Sequence, residues 1–295
     1  MNPTHRRLGF SFLYFTPHVT DAHHRWFERL RAHGYDGAEL PVVAATEAEL
    51  VATRRALDTN DLAATAVGFA TTDADPLAAD AAGRQRAIDH LRALCDKART
   101  LGADVLAGPI HSAYGRFSEL PPTAAEHARC VEVLRAAGDH AAKVGVTLAV
   151  EPLNRFECYF LNTAADCAEL VRAIDHPNVR GALDTHHAHI EERSLAAAIA
   201  SSRGTLGHVQ LSENHRGTPG TGQVDFTSVR TGLDAIGYDG WLVVEAFSRH
   251  DPHFGSALRI WRTLDQGAED VLAAGATLAR THFGATIPPA RPDAR

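Results

Sequence analysis

The sequence predicts an α/β protein that folds as a single-domain (β/α)8 barrel, or TIM barrel, and three observations support this prediction. Short apolar segments typical of strands alternate with amphipathic segments typical of helices, which predicts βαβ units and a parallel sheet. Eight such units in 295 residues give roughly 37 residues each, close to what a closed barrel of about 250 residues needs. No glycine-rich nucleotide-binding motif follows the first strand, which disfavours the competing open, doubly wound sheet.

The eight predicted strands are apolar runs bounded by polar or turn-forming residues. They cover residues 8–12, 37–40, 63–67, 105–107, 146–151, 179–184, 206–211 and 241–245. The first run follows the basic pair Arg6-Arg7, as the apolar part of an export signal would. It is too short for such a signal, and the segment Thr16-Pro17-His18 ends it. We therefore interpret it as a buried strand and expect a cytoplasmic protein.

Apolar residues at helical spacing predict helices between the strands. The predicted helices cover residues 22–32, 47–59, 84–100, 124–143, 164–174, 195–201, 227–236 and 254–278. No low-complexity segment or linker separates a second domain. We expect one catalytic barrel domain over residues 1–286 and a Pro-rich C-terminal tail over residues 287–295.

The overall composition excludes several classes of protein. A formal net charge of −7 argues against a nucleic-acid partner, because phosphate binding leaves a basic footprint. No apolar run approaches the roughly 20 residues of a membrane helix, so no membrane partner is expected. The four cysteines lack CxxC spacing, so we expect them to be reduced, structural thiols. The two lysines, Lys97 and Lys143, lie in helix-like stretches, which disfavours Schiff-base chemistry.

Polar residues end four consecutive predicted strands. The fifth strand ends at Glu151, the sixth at Asp184 and the eighth at Glu245, while the seventh carries Gln210. The second strand ends near Glu39. In a barrel of this kind, catalytic residues lie at the carboxyl ends of the strands. An isolated carboxylate there is often only a helix cap, but side chains on four neighbouring strands would converge on the barrel axis.

Three converging carboxylates repel one another unless they are protonated or neutralised, and a divalent cation is the natural neutraliser. If Gln210 presents its carbonyl, the set offers only oxygen donors, which suit hard cations better than zinc. We therefore expect a divalent metal, with Mn²⁺ first and Mg²⁺ or Co²⁺ as alternatives, at Glu151, Asp184, Gln210 and Glu245. We expect His208 to face away from Gln210 and to be the weaker candidate for a ligand.

Three further polar residues, Glu157, His187 and Arg216, lie in the loops that follow these strands. A metal combined with carboxylates, an imidazole and a guanidinium suits a small, polyhydroxylated substrate such as a sugar. The loops after the first four strands are expected to decide which sugar is bound. Their candidate residues are Tyr14, Phe69, His111 and Tyr114.

Several segments resemble the xylose-isomerase-like sugar isomerase and epimerase barrels, and most closely the ketose 3-epimerases of the D-tagatose/D-psicose type. The motifs are Glu-Pro-Leu-Asn-Arg-Phe-Glu at 151–157, Asp-Thr-His-His at 184–187, Gly-His-Val-Gln at 207–210, Asn-His-Arg-Gly-Thr-Pro-Gly at 214–220, Gly-Gln-Val-Asp-Phe at 222–226 and Gly-Tyr-Asp-Gly-Trp-Leu-Val-Val-Glu at 237–245. The likeness covers essentially the whole chain and is densest from Glu151 onward.

The resemblance implies roles for the same residues. The family's metal ligands correspond to Glu151, Asp184, Gln210 and Glu245. Its substrate-holding residues correspond to Glu157, His187 and Arg216. It also implies a homodimer or a homotetramer. One position departs from the family pattern, because ketose 3-epimerases usually carry a second histidine where this sequence has Gln210. Hydroxypyruvate isomerases use a glutamine ligand there.

These expectations describe a carbohydrate epimerase, an EC 5.1.3-like isomerase, that acts on free ketoses with the help of a metal. Glu151 and Glu245 would flank the substrate, and each would serve as base in one direction and as acid in the other, through an enediolate. An aldose–ketose isomerase of the hydroxypyruvate isomerase type is the alternative, with the same site moving a proton between C1 and C2. A non-catalytic sugar-binding barrel and a metal-dependent hydrolase are weaker alternatives.

Overall fold

Eight parallel strands pair in chain order, and the eighth pairs with the first, so that the sheet closes into a barrel. The structure is a computed structural model and describes residues 6–284. The strands are β1 (Arg7–Ser11), β2 (Gly37–Pro41), β3 (Ala63–Val67), β4 (Ala103–Gly108), β5 (Thr147–Val150), β6 (Val179–Asp184), β7 (Leu206–Ser212) and β8 (Trp241–Glu245). The predicted single-domain (β/α)8 barrel is thereby confirmed. The predicted tail, 287–295, lies outside the described residues, and the domain boundary at 286 stays a prediction.

Helices connect the strands and cover the outside of the barrel. They are α1 (Arg25–His33), α2 (Glu47–Thr59), α3 (Ala81–Leu101), α4 (Ala124–Val144), α5 (Ala164–Ile174), α6 (Thr185–Glu191), α7 (Leu195–Ser201), α8 (Phe226–Ile236), α9 (Pro252–Ala257) and α10 (Ala268–Phe283). Several begin at a Thr, Ser or Asp whose side chain accepts from the first turn, as Thr46 and Thr123 do.

Two predictions about helices were wrong. The helix expected over 254–278 is two helices, because residues 258–267 form an irregular segment in which Arg259 has a φ of 62° and Gly267 a φ of 126°. Positive φ angles are incompatible with a continuous right-handed helix. The short helix α6 was not predicted. It begins directly after β6 because the Asp184 side chain accepts from the backbone N–H groups of His186 and His187.

The amino-terminal end of the barrel interior is filled by the indole of Trp241. This side chain starts on β8, and its Nε1 donates to Oδ1 of Asp104 on β4, so the ring crosses the barrel. At Gly37 on β2, an added Cβ would lie 2.6 Å from the indole and 2.5 Å from the Ala63 carbonyl oxygen, so only glycine fits there. Small and β-branched residues from other strands pack on the ring. The barrel is therefore closed at this end.

All four cysteines are buried free thiols. Between residues 6 and 284, every helix is too short or too polar to cross a bilayer.

Candidate active site

The four predicted metal ligands meet at the carboxyl ends of neighbouring strands. Glu151 directly follows β5, Asp184 and Glu245 are the last residues of β6 and β8, and Gln210 lies near the end of β7. All four are at most 5% exposed. Asp184 and Gln210 are partners in the β6–β7 register, and Nε2 of Gln210 donates to Oε1 of Glu245 over 3.2 Å. The fold therefore brings this set together, as expected, and the metal-binding role remains a prediction.

Two fully buried oxygen atoms of this set have no hydrogen-bond partner among the described residues. Oδ1 of Asp184 accepts from the backbone of α6, but Oδ2 is buried and unpaired. Both protons of the Gln210 amide face carboxylates, on Glu39 at 3.0 Å and on Glu245 at 3.2 Å, and its Oε1 is buried and unpaired. A buried acceptor without a partner is costly, so these oxygens suit a positively charged ligand.

Burial shapes the acid–base behaviour of the carboxyl groups. It raises the pKa of Glu151 and of Glu245 well above the ordinary value, and the nearby Asp184 charge raises both further. Burial also raises the pKa of Asp184 to about 6, against the opposing influence of Arg216. The cause is the loss of water around the charged form, and the protons belong to the coupled group rather than to single residues.

A divalent cation among these residues would account for both the unpaired oxygens and the clustered carboxyl groups. It would neutralise three carboxylates that otherwise hold their protons tightly, and it would accept the unpaired oxygens of Asp184 and Gln210 as ligands. The donor set, three carboxylates and an amide carbonyl, is the chemistry that Mg²⁺ and Mn²⁺ prefer. The residues present therefore fit a hard divalent metal.

The three predicted substrate-binding residues form a second group above the carboxylates. Nη1 of Arg216 donates to Oε1 of Glu157 over 3.1 Å, and its Nη2 lies 3.0 Å from Nε2 of His187. The guanidinium also stacks on the ring of Phe247, 4.7 Å from the centroid. Tyr114 donates its hydroxyl proton to Oε2 of Glu157 over 3.2 Å. These contacts hold a cation, a carboxylate and an imidazole side by side.

The protonation of His187 follows from its neighbours. The backbone N–H of Asn154 donates to its Nδ1 over 3.0 Å, so a neutral ring carries its proton on Nε2. Burial, followed by the charge of Arg216, holds the pKa of His187 well below its usual range, so the ring is neutral. Nε2–H and the Arg216 guanidinium are then two donors that face each other, and Oε1 of Glu151 lies 3.6 Å from Nε2. An acceptor oxygen of a ligand would satisfy both donors.

A cavity of about 370 Å³ opens at this end of the barrel. At its polar end lie Glu151, Glu157, His187, Arg216 and Glu245. The rest of its lining, the apolar end, consists mainly of Leu13, Pro17, Pro41, Val43, Val67, Phe69, Pro109, Phe254 and Leu258. Phe69 and Tyr114 line this cavity as expected for the loops after the first four strands, whereas Tyr14 and His111 are not among its lining residues and are buried.

Another group of possible metal ligands lies beside the first. Glu157, His186 and His187 each offer a ligand atom, and these atoms lie within 4.8 Å of one another. The Arg216 guanidinium contacts two of these residues, and a permanent cation there opposes the binding of a second one. Nδ1 of His186 is already close to two backbone carbonyls. On physical grounds this group suits a sugar oxygen better than a metal.

Sequence reasoning missed the contacts of Glu39. This residue is fully buried on β2, and its carboxylate pairs with Nε2 of His208 at 2.8 Å and with the Gln210 amide. The expectation that His208 faces away from Gln210 was wrong, because residues two positions apart on a strand share a face. The two-residue spacing of His208 and Gln210 could have been read from the sequence. Their shared contact with Glu39 on β2 could not, because it depends on the fold.

Comparisons with known proteins agree with the fold and with the predicted class of enzyme. Residues 27–272 match the family model described as Xylose isomerase-like TIM barrel. The chain is 31% identical to the ketose 3-epimerase of Arthrobacter globiformis, over 88% of this chain and 90% of the relative. It is 30% identical to the L-ribulose 3-epimerase of Methylomonas sp., over 81% and 84%.

A solved structure with the same fold contains a sugar. The D-allulose 3-epimerase from Methylomonas sp. in complex with D-allulose superimposes with a TM-score of 0.88 at 27% identity, covering 95% of this chain and 98% of that one. These relatives are carbohydrate epimerases, which is the class that the motifs predicted. The chain therefore belongs to the xylose isomerase-like TIM barrel family.

Proposed function

We propose that this protein is a metal-dependent ketose 3-epimerase that acts on free ketoses. The observation that carries the proposal is the pair Glu151 and Glu245, two buried carboxyls that line one cavity from β5 and β8. Binding a sugar would not need two such groups beside a substrate-holding trio. The ketose 3-epimerases among the relatives support the same conclusion.

Inversion at C3 needs a base on one face of the substrate and an acid on the other. Two strands separate β5 from β8, so Glu151 and Glu245 approach the cavity from different sides. One carboxylate removes the C3 proton and leaves the enediolate of the ketose. The other, in its protonated form, returns a proton to the opposite face, and the roles exchange in the reverse direction.

The remaining residues orient the sugar. A divalent cation at Glu151, Asp184, Gln210 and Glu245 would supply charge stabilisation for the enediolate oxygens. The Nε2–H of His187 and the Arg216 guanidinium donate to the carbonyl oxygen or to neighbouring hydroxyls, and Glu157 accepts from a substrate hydroxyl. Holding the reacting carbon between the two glutamates lowers the entropic part of the activation free energy, because the proton transfer becomes effectively unimolecular.

The apolar end of the cavity supports an unphosphorylated substrate. Among the lining residues, the cationic or basic groups are Arg216 and His187, and both belong to the polar end. A terminal phosphate at the other end would meet Val43, Val67 and Leu258 and would lose its hydration without a partner. We further propose Mn²⁺ as the resident metal, with Mg²⁺ or Co²⁺ as alternatives, and a cytoplasmic location. We also propose a homodimer or a homotetramer, as the resemblance implies.

The test is proton exchange with solvent. Purified protein with Mn²⁺ is incubated with free ketohexoses and ketopentoses in deuterated water and followed by NMR. We expect deuterium at C3 together with the C3 epimer, loss of exchange after chelation and recovery with added Mn²⁺. Exchange that survives complete chelation would contradict the metal role, and binding without any exchange would indicate a non-catalytic sugar-binding barrel.

The aldose–ketose isomerase remains the second candidate because Gln210 stands where ketose 3-epimerases usually carry a histidine. In that case, deuterium enters at C1 or C2 and an aldose accumulates. The same NMR spectra distinguish the two reactions, since the labelled carbon differs.

A further inference from the structure

We propose that Glu39 is a positioning residue that fixes the orientation of the Gln210 amide, so that its carbonyl oxygen faces the metal site. The inference rests on the proposed metal site and assigns a function to a residue outside it. Glu39 is not one of the four expected ligands. It is fully buried, and it reaches β7 across the barrel interior from β2.

The contacts of Glu39 occupy both of its oxygens. Oε1 accepts from Nε2 of Gln210 over 3.0 Å, and Oε2 pairs with Nε2 of His208 over 2.8 Å. The second proton of the Gln210 amide points at Oε1 of Glu245, 3.2 Å away. The amide nitrogen therefore lies between two carboxylates, and the amide oxygen is left without a partner.

A glutamine ligand needs contacts that fix its orientation more than a carboxylate ligand does. The two ends of the amide have nearly the same size, and a half-turn about the last side-chain bond exchanges an acceptor for a donor. Only the oxygen binds a cation. A carboxylate at Glu39 accepts hydrogen bonds and donates none, so the flipped amide would place its oxygen against the Glu39 oxygen. That repulsion selects the metal-binding orientation before any metal arrives.

His208 holds Glu39 in place in turn. It lies two residues before Gln210 on the same strand, so both side chains reach the same carboxylate from one face. Hydrogen-bonded partners of metal ligands typically change metal affinity by about 10–100-fold when they are removed. We expect Glu39 to have an effect of this size through Gln210.

The experiment measures the Mn²⁺ dissociation constant of the metal-stripped, full-length protein by calorimetric titration. The variants are Glu39→Gln, Gln210→Ala and the double variant, because a double-mutant cycle isolates the coupling between the two positions. We expect Glu39→Gln to weaken Mn²⁺ binding by about 10–100-fold in the wild-type background. In the Gln210→Ala background, we expect the same substitution to weaken it by about threefold or less.

This cycle separates orientation from the simple loss of a buried negative charge. A charge effect would persist when Gln210 is absent, whereas an orienting effect would vanish. Asp75→Asn is the matched control, since Asp75 is a buried carboxylate that pairs with Arg116 and makes no hydrogen bond to the site residues. Its Mn²⁺ affinity should equal that of the wild type.

The possible failures are distinguishable. If the wild-type protein does not bind Mn²⁺, both the metal site and this inference are wrong. If the wild type binds Mn²⁺ but Glu39→Gln binds it equally well, or weakens equally in both backgrounds, only the positioning role is wrong. If Glu39→Gln does not fold, His208→Gln provides the second variant, with a smaller loss of affinity expected that again depends on the presence of Gln210.

Discussion

The two ends of the cavity are built from different halves of the barrel. The polar end takes its residues from β5 to β8 and the loops after them, and several of these residues contact one another directly. The apolar end takes most of its residues from β1 to β4 and from the segment around α9. Under the proposed function, one half would hold the reacting atoms by hydrogen bonds and charge, and the other half would confine the rest of the sugar by shape. We therefore expect changes at the polar end to affect turnover and changes at the apolar end to affect affinity.

The largest expected effect comes from the two glutamates. Glu151→Gln and Glu245→Gln each remove a proposed proton carrier and a proposed charged metal ligand while they preserve volume. We expect turnover of the best ketose to fall by about 10⁴-fold in each variant, with a circular dichroism spectrum like that of the wild type. Glu119→Gln, at an exposed loop position, is the matched control. A glutamine variant with near-normal turnover would rule out the two-base mechanism.

Arg216 tests whether the polar end orients substrate through paired donors. Arg216→Met removes the hydrogen bond to Glu157 and the proposed hydrogen bond to the substrate, and we expect kcat/KM to fall by about 100-fold, the size of the loss of two charge-assisted hydrogen bonds. Arg216→Lys should recover only part of this loss, because a lysine cannot reproduce the planar fork. Steady-state kinetics of the three proteins provide the comparison. Full recovery by lysine would show that charge alone matters.

The polar end should also make the metal-free protein sensitive to pH. The pKa of Asp184 rises from its ordinary value of 3.8 to about 6 on folding. Between these values, the unfolded chain has lost the proton that the folded chain still holds. The contribution of this group to stability is therefore present at low pH and is lost as the pH rises through about 6.

Asp184→Asn removes that contribution, together with the part of the raised pKa of Glu151 and of Glu245 that the Asp184 charge causes, and both changes reduce the loss of stability with rising pH. Buried histidines with lowered pKa values, such as His186 and His187, act in the opposite direction over the same range, and they are present in both proteins. We expect the melting temperature of the metal-free variant, relative to metal-free wild type, to rise by a few degrees between pH 4 and pH 7. Mn²⁺ should stabilise the wild type more at pH 7 than at pH 5. A difference that does not change with pH would contradict the raised pKa.

The smallest expected effect lies at the apolar end. Val43→Thr replaces a lining methyl group by a hydroxyl at nearly constant volume, among lining residues that carry no ionisable group. We expect KM to change by about tenfold or less and kcat to stay the same. Leu258→Thr, a second substitution among the apolar lining residues, should likewise change KM more than kcat. A large loss of kcat in either variant would show that the two ends are not separable in function.

The sequence predicted the polar end better than the apolar end for a physical reason. A strand's apolar run shows where the strand ends, and Glu151, Asp184 and Glu245 each stand at such a point. Glu39 also lies near a predicted strand end, but its contact with His208 depends on two strands that meet across the barrel. The loops after the early strands carry no such marker, and Tyr14 and His111 turn away from the cavity for reasons of packing that a one-dimensional pattern does not contain.

The position of the Trp241 indole has a consequence for the kinetics. Since this ring fills the amino-terminal end of the barrel formed by residues 6–284, a sugar would arrive and depart at the opposite end, where the cavity opens. A substrate cannot enter until the previous product has left, and the two epimers compete for the same space. Each sugar should therefore inhibit the conversion of the other competitively, and the net rate should slow well before equilibrium is reached.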